Sequence, residues 1–261
     1  MRIEAAPSLV DLNSPGSSPV RSKEVPTNMK AIPILLRGEP EPINESIQQC
    51  TLGRILLYIA VIFTGAGLFG AAVGYWRAPL QALYTALKLP LILLLTTLGN
   101  ALLNGMLAPL LGLNISFRQS LVAILMSFTI AATILGSFSP LLFFLVWNTP
   151  SLSHAGSQSA SAYNFILVAQ VMMIAFAGVA ANLRLVQLLR RLSGNVQVAR
   201  KILFGWLTFN LLLGAQLSWN LRPFVGSPGL PIQFLRDNAF QGNFFEALAY
   251  AARHLLFPEL H

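Results

Sequence analysis

No aspartate or glutamate occurs between Glu45 and Asp237, and between Arg118 and Arg184 there is no charged residue of either sign. Water-soluble domains do not leave such stretches, because about 25% of their residues are charged. Here the charged fraction is 10%, the hydrophobic fraction 55% and the mean hydropathy +0.65 over 261 residues. Runs of this kind are soluble in a bilayer, whose hydrocarbon core takes about 20 apolar residues to cross.

Five segments are long and apolar enough: 55–76, 89–113, 119–147, 161–183 and 202–221. The uncharged interval between the third and fourth is divided by composition, since 148–160 (NTPSLSHAGSQSA) gathers Pro, Gly and Ser. Two shorter helices are expected to lie along the membrane surface. In 77–88, Leu80, Leu83, Tyr84 and Leu87 share one side while Arg77, Gln81, Thr85 and Lys88 share the other. In 243–256, Asn243 and Glu246 form a helix start before an apolar stripe. The expected fold class is therefore all-α, a polytopic membrane helix bundle of about five transmembrane helices plus interfacial helices. Three regions follow: a Pro- and Ser-rich disordered tail over 1–53, the bundle over 54–222, and a loop with an amphipathic helix over 223–261.

Short loops rich in Lys and Arg stay in the cytoplasm. Arg184, Arg190, Arg191, Arg200 and Lys201 crowd the loop after the fourth segment, which has no acidic residue. Counting back from it places the N-terminus inside and the C-terminus outside. Aromatic belts agree: Tyr75, Trp76, Trp147, Tyr163 and Trp219 fall at expected outer ends, Tyr58 and Trp206 at inner ones. The basic loop is an orientation anchor first and an anionic-lipid site second. It lacks the interleaved aromatic residues of a nucleic-acid platform, so no nucleic-acid partner is expected.

The same charge gap restricts chemistry. Proton relays and many cation-coupled carriers place carboxylates or histidines at membrane depth, whereas the histidines here are His154, His254 and His261, all outside the spans. One cysteine, Cys50, rules out an intramolecular disulfide and a cysteine-built metal centre. No catalytic residue, metal site or cofactor is expected.

What remains is polar and small. Ala66, Gly70 and Gly74 repeat every four residues, spacing that lets helix backbones approach within one bundle or between copies. Asn100, Asn104, Gln170, Asn210 and Gln216 lie within spans; interhelical hydrogen bonding is their expected role and a solute pathway the alternative. Ser116 and Gln119 form a capping box ahead of the third span, and Pro140 lies within that span. Trp219 precedes and Arg222 opens the turn-rich string RPFVGSPGLP, where Arg222 is expected to clamp the exit loop through Asp237 or loop carbonyls so that Phe224 and Phe234 cover the helix ends.

The segment 216–236, QLSWNLRPFVGSPGLPIQFLR, followed by NFFEAL, resembles the closing segment of uncharacterised bacterial polytopic inner-membrane proteins with a W-x-x-R-P-F-x-G-S-P string. This resemblance implies a bacterial inner membrane and no assigned activity. More distantly, a cytoplasmic N-tail followed by five spans, together with ISFRQSL, resembles the Yip family of membrane-trafficking proteins in layout. The expected function is non-catalytic: membrane organisation, assembly or scaffolding through the lipid bilayer and a membrane-protein partner or second copy. A channel or facilitator for a small neutral or anionic solute is the alternative.

Overall fold

Apolar runs that close their backbone hydrogen bonds internally form helices, and the computed structural model has five long ones among its described residues. They are α1 (Leu52–Tyr75), α2 (Pro79–Leu110), α3 (Phe117–Trp147), α4 (Ser157–Ser193) and α5 (Val196–Asn220). Residues 51–110, 116–149, 157–193, 196–226 and 231–246 are described, and among them there is no strand. The tail before residue 51 and the expected C-terminal helix beyond 246 lie outside these residues. α1, α3, and parts of α2 and α4 are long and apolar enough to cross a membrane.

The helices α2, α3, α4 and α5 form a ring in that order, and α1 docks against α2 and α3. The contacts fix their directions. Tyr75 stacks with Trp147, and Trp76 meets Tyr163, so the end of α1 lies beside the end of α3 and the start of α4. We call this the closing end, because the segment after α5 folds over it.

α1 is held by two faces of small residues. An ideal Cβ on Gly136 of α3 would come within 2.9 Å of the Gly65 Cα. On the neighbouring face, a Cβ on Gly70 or Gly74 would lie 2.5 Å from the backbone oxygen of Thr85 or Gln81 of α2. Together with buried Ala66, this stripe serves tight packing within the bundle. Local signals set the helix ends. Ser116 accepts from the Gln119 amide while the Gln119 side chain accepts from the Ser116 amide, the reciprocal capping box of α3. Asn243 and Glu246 make the same exchange.

Three expectations change. The helix over 77–88 is not a separate interfacial element: it is the start of α2, which continues through Pro90 as one helix of 32 residues. Pro90 deprives the Ala86 carbonyl of its helical donor, and Gly67 of α1 lets the two backbones approach there, an ideal Cβ lying 3.3 Å from that oxygen. The basic stretch is not a loop either. Arg184, Arg190 and Arg191 lie in the last turns of α4, and Arg200 and Lys201 in the first turns of α5. No Gly or Pro interrupts α4 between Gly178 and Gly194, and cations suit a helix C-terminus. Tyr58 and Trp206, expected at a headgroup belt, are buried in the core at 1% and 5% exposure.

These contacts predict a contrast between glycines. Gly70→Ala and Gly74→Ala push a methyl into backbone that cannot move aside, and each is expected to cost about 1–3 kcal/mol. Gly178→Ala, where nothing lies within 4 Å of the added carbon, is expected to be neutral or stabilising. Thermal unfolding in detergent checks this, and equal losses at all three positions would contradict the packing described.

Candidate functional site

The polar residues of α2 fall on one stripe that faces the protein. Gln81, Thr85, Lys88, Ile92, Thr96 and Asn100 recur at intervals of three or four, and all six are buried. The opposite face, with Leu80, Leu83, Leu87, Leu91, Leu95, Leu98 and Leu102, is exposed. α2 is thus amphipathic in the inverted sense: leucines point out to lipid and the polar stripe points in. Each polar group on it needs a partner supplied by another element.

At the closing end that partner is the backbone after α5. Following a cis Arg222–Pro223 peptide, the Pro223 carbonyl accepts from Lys88 Nζ at 2.9 Å and from Gln81 Nε2 at 3.0 Å. The Phe224 carbonyl accepts from Gln81 Nε2 at 2.9 Å and from the Thr85 hydroxyl at 2.7 Å. The Lys88 ammonium, fully buried, also sits 5.0 Å from the Phe234 ring centre and 5.9 Å from that of Phe224. None of α1 to α5 contains an aspartate or glutamate, so carbonyl dipoles and ring faces carry the charge. Phe234 meets Tyr84 edge-on, and Gly226 takes φ +87° where a Cβ would lie 2.9 Å from Arg77 Cγ. Phe224 and Phe234 therefore cover the start of α2.

The expected clamp is arranged differently. Arg222 lies over the Trp219 ring, 3.7 Å from its centre, and donates to the Trp219 carbonyl at 2.8 Å. It caps its own helix, while Asp237 is exposed in the turn beyond and takes no part in that bond. Partial burial and the Arg236 charge hold its pKa below the ordinary guanidinium value. The residue that ties the exit loop to the bundle is Lys88, with Gln81 and Thr85. Trp219 Nε1 reaches the Gln241 carbonyl at 3.4 Å, and the Gln216 side chain donates to Asn220 and accepts from the Phe244 amide.

Deeper in the bundle, Asn100 donates to the Thr96 carbonyl at 3.1 Å and to Asn210 Oδ1 of α5. Between α2, α3, α4 and α5 lies a cavity of about 200 Å³ whose lining includes Thr96, Ser127, Asn182, Asn210 and Ser218. Of the five amides expected to act together, only Asn100 and Asn210 meet among the described residues. Gln170 is buried on α4, Gln216 serves the exit segment, and the Asn104 side chain is outside the described residues. At the far end of α5, a groove of about 610 Å³ is lined by Gln197, Arg200, Lys201, Phe204 and Leu207. Among the described residues no group of three or more His, Cys, Asp or Glu side chains is placed to hold a metal ion.

Sequence reasoning missed Thr96, Ser127, Asn182 and Ser218, and it placed Gln81, Thr85 and Lys88 on a surface facing water. The available signal was the continuation of one polar period from Gln81 to Asn100. No protein-family model, curated protein or solved structure matches the chain.

The clasp makes a specific prediction. Gln81→Leu removes a donor from both carbonyls and is expected to cost about 1–3 kcal/mol. Lys88→Met removes a donor from the Pro223 carbonyl alone, together with a charge whose burial is itself costly, so its loss is expected to be smaller. Chemical unfolding of both variants in detergent would reveal the reverse order if the ammonium were the dominant tie.

Proposed function

We propose that this chain is a non-catalytic integral membrane protein that works in membrane organisation or assembly by holding anionic lipid and packing against other membrane components. In this reading α5 is the fifth span, and the membrane is a bacterial inner membrane, as the resemblance of the closing segment implies. One observation carries the proposal. The groove at the start of α5 places Arg200 and Lys201 one turn before Phe204 and about two before Leu207. The two cations suit a phosphate headgroup, and the apolar pair below them suits the start of an acyl chain. Phe204 is 72% exposed, so the groove wall faces outward. The positive-inside bias puts this end at the cytoplasmic leaflet.

Each cation near an anionic surface contributes about 1 kcal/mol, so Arg200→Gln/Lys201→Gln is expected to weaken phosphatidylglycerol retention roughly 30-fold. Native mass spectrometry of protein in mild detergent measures this. Equal retention of phosphatidylcholine by the unaltered protein would defeat the lipid reading. Orientation has its own test. With Cys50→Ser as background, a cysteine at Ser193 is expected to react only with reagent admitted to the cytoplasmic side, and labelling from outside would invert the topology. A facilitator for a small solute is the second reading, supported by the space beside Asn210.

A further inference from the structure

We propose that the partly open cavity between α2, α3, α4 and α5 is a binding site for one small uncharged molecule with an apolar body and a hydroxyl group. The site is separate from the lipid groove and does not depend on it. Its wall combines Phe128 with the polar residues Thr96, Ser127, Asn182, Asn210 and Ser218, and among the described residues no charged one lines it. An ion there would lose its water without a counter-charge, so the occupant is neutral. At about 200 Å³, the space is below the roughly 300–1,000 Å³ of sites for drug-sized ligands. A single ring with a short polar arm matches it.

The hydroxyl requirement comes from one buried atom of the wall. Thr64, Thr97, Thr129 and Thr133 each return their hydroxyl to a carbonyl of their own helix four residues back. Thr96 does not. Its Oγ1 is buried without a hydrogen-bond partner, as is Asn100 Oδ1 one turn further along the same stripe. Thr96 is 3% exposed and Asn100 fully buried. A ligand hydroxyl can donate to the Thr96 oxygen or accept from its hydroxyl.

Glycine placement shows that the space is not a by-product of close packing. A Cβ at Gly178 would meet nothing within 4 Å, and at Gly214 the nearest atom is Thr96 Oγ1 at 3.9 Å. The unpartnered hydroxyl therefore borders the open volume, while α4 and α5 keep side chains out of it at those two positions. Gly214, with Asn210 and Ser218 on the same face of α5, spans about 12 Å of helix.

The test uses the full chain in detergent with Cys50→Ser as background. Gly214→Cys, and independently Gly178→Cys, places a thiol in the cavity, and Gly205→Cys is the control on α5 outside it. Methyl methanethiosulfonate, small and neutral, reports access to each thiol, and benzyl alcohol is the probe. The expected result is saturable protection of the two cavity cysteines, none at Gly205→Cys, and weaker protection by toluene, which lacks the hydroxyl. Adding Thr96→Val should raise the half-protecting concentration of benzyl alcohol about tenfold and leave that of toluene unchanged, the loss of one hydrogen bond. Reaction without protection would mean water alone fills the space and would overturn the proposal. So would equal protection by toluene, equal effects at Gly205→Cys, or failure of both cavity cysteines to react or to permit folding.

Discussion

A polar stripe on a helix whose other face is leucine has only two stable settings: against water, or against groups of its own protein. α2 takes the second, and most of the architecture follows from covering the stripe. Its first turns, Gln81, Thr85 and Lys88, need acceptors, and the backbone carbonyls of Pro223 and Phe224 supply them. Farther along, Asn100 needs α5, which provides Asn210. A buried lysine with no carboxylate in the spans is costly in hydrocarbon, so the exit loop with its two phenyl rings is a condition for inserting α2 as it stands.

That requirement explains why the chain turns back after α5. The carbonyls of an irregular segment buried against α2 need donors as much as α2 needs acceptors, and each satisfies the other. Gly226 then bends the path where Arg77 leaves no room for a side chain. Arg222, the residue that sequence reasoning singled out, acts locally by closing the last turn of α5 over Trp219. Two cations flank the same proline, and the one distant in sequence ties the loop to the bundle. Sequence spacing exposed Arg222 because its partner is three residues away; Lys88 lies 135 residues from its acceptor, a separation with no periodic signature.

Where physics was local, the sequence was legible. Both reciprocal helix starts, at Ser116 and Asn243, follow from two side chains three residues apart. The positions of the apolar runs and the small-residue face of α1 follow from composition and period. The error over 77–88 arose from the sign of an amphipathic helix, since the period is identical whether the polar side faces water or a neighbouring helix. Resolving the sign required carrying the period past Pro90 to Thr96 and Asn100, because a proline inside a helix looks like a boundary. Burial of Tyr58 and Trp206 was illegible for a related reason: an aromatic near a span end suits a headgroup belt or a helix contact equally well. The cavity was illegible because it is built from single residues on four helices.

Glycine separates two halves of the bundle by what surrounds it. On α1, glycines mark positions where backbone of α2 or α3 comes too close for a methyl, so that part has almost no slack. On α4 and α5, Gly178 and Gly214 face open volume, and α4 is the span least buried within the protein among the described residues. A close-packed α1–α2–α3 unit with a looser α4–α5 flank puts rigidity and accommodation in different helices. α5 carries the groove residues in its first turns and the cavity face farther on. It also leads directly into the clasped exit loop. Changes in the setting of α5 are therefore constrained at one end by the α2 stripe and at the other by whatever occupies the groove. Among the described residues, α5 thus touches both the groove and the cavity.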